Sequence, residues 1–117
     1  MKYMILVNGS QQDFDTDLPA EEMKAIGAAL DEFNDNLRES GEFLDAQGLA
    51  APAEARRIKI KEGIPVVTDG PYGETQEVVI GYWLVECESY DRATEIAAQL
   101  ARCPGPESVI DVRSIME

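Results

Sequence analysis

Lys2-Tyr3-Met4-Ile5-Leu6-Val7 is a nearly unbroken apolar run that stops at Asn8-Gly9-Ser10. With no polar phase in its two-residue period, it predicts a strand buried on both faces and central in a sheet. Pro19 stands where a helix begins, with Asp17 or Leu18 as its cap and Glu21 and Glu22 in the favoured first turn. Met23, Ile26, Gly27, Leu30, Phe33 and Leu37 then form one apolar stripe at helical spacing, ended by Gly41. Residues 42–49 predict a second strand whose alternation breaks at Gln47-Gly48. Arg56-Arg57-Ile58-Lys59-Ile60-Lys61 alternates cleanly, Glu62-Gly63 turns, and Ile64-Pro65-Val66-Val67-Thr68 returns as an edge strand.

The run from Val78 to Cys87 is apolar in both phases, so it too calls for cover on both faces. Ser89 or Asp91 caps a second helix with Ala93, Ile96, Ala97, Leu100 and Ala101 on its inner side, before Cys103-Pro104-Gly105-Pro106 ends it. Residues 108–116 alternate as a closing strand. The order predicts an α+β fold: a ferredoxin-like βαββαβ-type antiparallel sheet with an inserted β-hairpin and two helices on one face. Two helices cover only one face of such a sheet, while two strands are apolar on both. The second face therefore needs another cover, most simply a second copy of the chain in a face-to-face dimeric α+β barrel.

Composition narrows the partners. Ten Lys and Arg face 23 Asp and Glu, a formal charge of −13, which repels nucleic acid and anionic membrane surfaces alike. The 117 residues suit one domain with its own core, expected in the cytoplasm, since no run has the length and apolarity of a membrane span or of a signal segment. Cys87 and Cys103 lack zinc-site spacing and read as two free, buried thiols. Asp13, Asp15 and Asp17 alternate like the opening of a calcium loop. However, the required glycine is Leu18 and the closing glutamate is Lys24, so the stretch reads as a solvated acidic loop. Neither a metal nor a cofactor is implied. The chain has no histidine, so any catalysis falls to carboxylates, tyrosines, arginines or thiols.

Polar groups converge in Thr68-Asp69-Gly70-Pro71-Tyr72-Gly73-Glu74-Thr75-Gln76-Glu77. Asp69 and Glu77 are the candidate acid–base carboxylates, and burial of either beside Glu74 would raise its pKa into a useful range. The structural alternative for Asp69 is an aspartate that fixes the turn through backbone amides two residues on. Gly70, Pro71, Tyr72 and Glu74, with Tyr82 and Arg113, are the candidate ligand contacts, Arg113 being one of few cations available for a substrate carboxylate.

That decapeptide, together with Gly81-Tyr82-Trp83, Cys103-Pro104 and Val112-Arg113-Ser114-Ile115-Met116, resembles the DGPF branch of the YCII-related family, with Tyr72 in place of the phenylalanine that names the branch. The resemblance implies a ferredoxin-like dimeric α+β barrel. Other YCII-related branches carry a histidine and acidic partner on the first helix, and one relative is a dehydrochlorinase of a chlorinated hydroquinone. This chain has Glu39 near the end of that helix and no histidine to pair with it. The branch also implies an association with extracytoplasmic-function sigma factors. Two readings follow: a small-molecule-binding protein with carboxylate acid–base chemistry on a cyclic or aromatic substrate, and a non-catalytic sensing module.

Overall fold

The computed structural model describes residues 1–117. Strand β1 (Lys2–Gly9) is followed by helices α1 (Gln11–Asp15) and α2 (Ala20–Ser40), then β2 (Phe43–Gly48) and a 3₁₀ turn at Pro52–Glu54. The hairpin β3 (Arg56–Lys61) and β4 (Ile64–Asp69), β5 (Val78–Glu86), helix α3 (Tyr90–Ala101) and β6 (Val109–Ser114) complete the chain. The antiparallel main sheet has the order β2-β5-β1-β6, as the ferredoxin-like expectation requires, and β3-β4 forms a separate two-stranded sheet.

β1 is central, paired with β5 from Lys2↔Glu86 and with β6 from Tyr3↔Ser114. Tyr3 and Ile5 point to the helices and are fully buried with Val85, Ile96, Ala93, Phe33 and Leu37. Edge-to-face aromatic pairs, Tyr3 with Tyr90 and Phe33 with Trp83, lock sheet to helices. Met4 and Leu6 of β1 and Tyr82 and Leu84 of β5 point the other way, half-buried on a sheet face that no helix covers. Both apolar strands thus have one covered and one open face.

Two expectations need correction. The acidic stretch is not a loop but the short helix α1. Ser10 Oγ accepts from the Asp13 amide at 3.3 Å while Asp13 Oδ2 accepts from the Ser10 amide at 3.0 Å. This reciprocal capping box uses Asp13, one of the three spaced acids, and satisfies two end amides at once. Helix α2 begins at Ala20 with Pro19 in the cap position and no side-chain cap. Its far end follows the prediction: Gly41 takes φ 78°, and the Gly41 and Glu42 amides donate to Arg38 and Leu37 carbonyls at 3.1 and 2.9 Å.

Candidate functional site

The predicted loop does not gather its polar groups into one place. Asp69 is still the last residue of β4, in register with Arg56, so its carboxylate points across the ladder and meets Arg56 Nε at 3.1 Å. That geometry replaces the amide-binding turn expected of it. The turn is instead held by the Gly70 amide, which donates to Ala55 O at 2.8 Å, with Gly70 at φ 53° and a β-carbon there only 3.1 Å from Ala53 O, both of which favour glycine. Gly73 and Gln76 close the next turn by mutual hydrogen bonds. Glu74 contributes its carbonyl to the Gln12 amide, at 2.9 Å, so the loop is tied to α1 by backbone. Pro71 is half-buried, and the Glu74 and Glu77 side chains face solvent. Tyr72 lies under the Arg57 guanidinium, 5.0 Å from it, and is the only one of the predicted contacts to line one of the four main cavities.

Tyr82 and Arg113 sit elsewhere, on the open sheet face. Tyr82 O–H donates to Asp45 Oδ2 at 2.8 Å across β5 and β2. This bond holds the Asp45 carboxyl below its ordinary pKa. The same bond raises the Tyr82 phenol, because ionising the tyrosine would forfeit it and set two negative charges together. Asp45 was not legible as a site residue. Its place on the open face depends on a register shift between Phe43, opposite Val85, and Asp45, opposite Leu84. Strict alternation from Phe43 would have turned Asp45 toward the helices.

The concavity with fixed walls lies on the helix side. A cleft of about 320 Å³ is bounded by Val7, Leu30, Ile80, Trp83, Leu100 and Ile110, with Phe14 of α1 and the turn at Cys103–Gly105 at its mouth. An adjoining space of about 340 Å³ under α2 shares Val7, Leu30, Ile80 and Trp83 and reaches Asn34, Ala46 and Gln47. Only Phe33 and Leu37, in the C-terminal half of α2, are buried, while Met23 is 60 % exposed. Ile26 and Leu30, on the same apolar stripe, line the cleft.

A bulge supplies one wall. β1 steps from Val7↔Gly81 to Asn8↔Val79, leaving Ile80 unpaired and free to line the cleft. Its Cδ1 would stand 2.5 Å from a β-carbon at Gly9, so any larger residue there would have to displace the Ile80 side chain. Several polar groups around the cleft already have partners. Trp83 Nε1 donates to Asn34 Oδ1 at 2.7 Å, Asn8 Nδ2 to Val109 O and Asp111, and Asp13 belongs to its capping box. No buried side-chain nitrogen or oxygen lacks a partner.

Cys103 is half-buried at the cleft and Cys87 fully buried. Burial pushes both thiols up, so neither is an activated nucleophile. A larger space, about 480 Å³, lies at the hairpin base against Tyr72, but the Leu49–Ala55 connector forms most of its lining. No cluster of acidic, cysteine or histidine side chains is suited to a metal ion, and no helix is long and apolar enough to cross a membrane.

The sequence pattern of the YCII-related domain matches residues 1–117, the whole chain. The chain belongs to the YCII-related domain family. A relative described as an uncharacterized protein, from Rhizobium meliloti (strain 1021), is 29 % identical over 77 residues. That match covers 66 % of this chain and 62 % of the relative, so the chain spans less than two thirds of it. The ferredoxin-like order of the main sheet agrees with membership of the YCII-related family.

Proposed function

We propose that this YCII-related chain, of the DGPF branch, is a binding protein for a compact, uncharged, apolar or aromatic molecule, seated in the cleft under the raised half of α2. We further propose that it acts as a homodimer closed through the open sheet faces. The observation that carries the ligand reading is the cleft itself: an apolar space with helix and sheet walls, a tryptophan in its side and no buried side-chain polar atom without a partner. Asp13 and Glu107 at its lining and a formal charge of −13 disfavour anions. The homodimer rests on Met4, Leu6, Tyr82 and Leu84, whose side of the sheet has no cover within the chain.

The test uses Trp83, the only tryptophan, as the reporter. Titration of the native protein with small aromatic compounds, each beside its carboxylate analogue, is expected to change Trp83 fluorescence for the neutral member of each pair. Ser108→Phe, at the exposed rim, is expected to weaken binding by about tenfold or more, equivalent to about 1.4 kcal/mol, without loss of fold and with Trp83 still the only tryptophan. A preference for the carboxylates, or no saturable change for any compound of fitting size, would refute the reading.

A second reading gives the Asp-Gly-Pro loop a share in chemistry. It is favoured by Tyr72, which the Arg57 guanidinium pins against a cavity edge. In that reading Asp69 and Glu77 act as acid and base on a ligand held against a second copy. Loss of turnover in Asp69→Asn/Glu77→Gln, with ligand binding and fold retained, would assign the chemistry to them. Unchanged turnover removes it.

A further inference from the structure

The β3-β4 hairpin stands apart from the body. It is hydrogen-bonded to no strand of the main sheet, and the radius of gyration is 16.3 Å, where a compact chain of this length has about 13 Å. Glu62 and Gly63 at its tip both take positive φ, 52° and 79°, in the tight turn whose twist suits a two-stranded ribbon. The register sorts its side chains by face. Arg56, Ile58, Ile60, Pro65, Val67 and Asp69 share one side. Arg57, Lys59 and Lys61 share the other with Thr68, Val66 and Ile64, the last two also exposed. Ile58, Ile60 and Val67 are 65 %, 68 % and 57 % exposed, an apolar side with two free edges that nothing in the same chain covers.

Charge separates the hairpin from the body. Residues 56–69 hold Arg56, Arg57, Lys59 and Lys61 against Glu62 and Asp69, a surplus of two positive charges. Since the whole chain totals −13, everything outside the hairpin carries fifteen surplus negative charges. A basic ribbon with an apolar side therefore projects from an acidic body, and the protein itself offers the complementary surface.

We propose that the hairpin is an arm that docks on a second copy of this chain. Its Ile58-Ile60-Val67 side lies on the partner's surface, and Lys59 and Lys61, long enough to reach past the free edge of β3, pair with the partner's carboxylates. This rests on the homodimer proposed above and adds to it a reciprocal clasp distinct from the open sheet faces.

The experiment measures the dimer dissociation constant of the full chain by sedimentation equilibrium, for the native sequence, Lys59→Glu/Lys61→Glu and Ile58→Ser/Ile60→Ser. The hairpin contributes no residue to the core, so the fold is expected to survive in both variants. Charge reversal is expected to weaken the dimer by about tenfold or more at about 50 mM salt and by less at about 500 mM. The serine variant is expected to weaken it at both. Zero-length carboxylate–amine cross-linking of isotopically mixed protein is expected to join Lys59 or Lys61 of one copy to an acid of the other. A dimer of unchanged affinity in both variants, with cross-links confined to single chains, overturns the arm and leaves the sheet-face dimer standing. A native protein that is monomeric throughout overturns both.

Discussion

Glu42 accepts two hydrogen bonds from Arg92, Nε to Oε2 at 2.9 Å and Nη2 to Oε1 at 2.8 Å, so one bidentate pair ties the start of α3 to the residue before β2. Those bonds, helped by Ser40 Oγ, hold the Glu42 carboxyl below its ordinary pKa against the opposing effect of burial. The folded state thus binds fewer protons than the unfolded chain in the acid range. The stabilisation is fully present above the unfolded glutamate value of about 4.3 and is lost as pH falls through the lower folded value. Glu42→Gln is expected to flatten the acid side of the stability–pH curve, and Arg92→Ala to cost about 1–3 kcal/mol in urea unfolding. Asp69 is the contrast. Its pair with Arg56 has side chains 75 % and 83 % exposed, so Asp69→Asn should move the unfolding free energy by less than about 0.5 kcal/mol. The acid that stood out in the sequence thus contributes little, and the one that matters to the frame drew no notice. A motif shows in the chain, but the partner 50 residues away does not.

The elements were legible where a local rule fixes them. Gly41 ends α2 because its φ of 78° suits a residue without a β-carbon. Gly41→Ala is expected to cost about 1 kcal/mol, read as a lowered denaturation midpoint. Periodicity likewise gave β1, β5, the hairpin and α3. It failed where a tertiary choice decides. The acids at 13–17 suited a loop until Ser10 capped them into α1, and β2 broke its alternation at Leu44 and Asp45 rather than at Gln47-Gly48. Both main-sheet bulges are invisible to a two-residue period, and each carries part of a site: one turns Asp45 onto the open face, the other leaves Ile80 to line the cleft. The candidate site was read at the loop because glycine and proline mark turns strongly. The cleft leaves no comparable mark, because Ile26 and Leu30 at its wall fall on the same apolar stripe as the buried Phe33 and Leu37.

At the scale of the molecule, the chain is a slab 17 Å thick in its shortest dimension, one layer of sheet and one of helices. Leu6 and Leu84 stand mid-sheet on the uncovered side, half-buried and clear of the core cluster. For the proposed sheet-face dimer, Leu84→Glu is therefore expected to leave far-UV circular dichroism unchanged while light scattering falls from dimer to monomer mass. Persistence of the dimer in that variant would move the interface off the sheet face. The strand at the middle of that sheet also governs how the chain assembles. β1 pairs with residues up to 111 positions away, Tyr3 with Ser114, whereas the hairpin closes over a two-residue turn. Local ribbons form in about 1–10 μs, while sheets closed by distant strands form in milliseconds to seconds. During synthesis the hairpin can thus be complete while β1 waits, apolar and unpaired, for β5 and β6 to be made. For that interval the strand most buried in the finished protein is its most exposed liability, and the acidity of the surrounding chain keeps such intermediates apart.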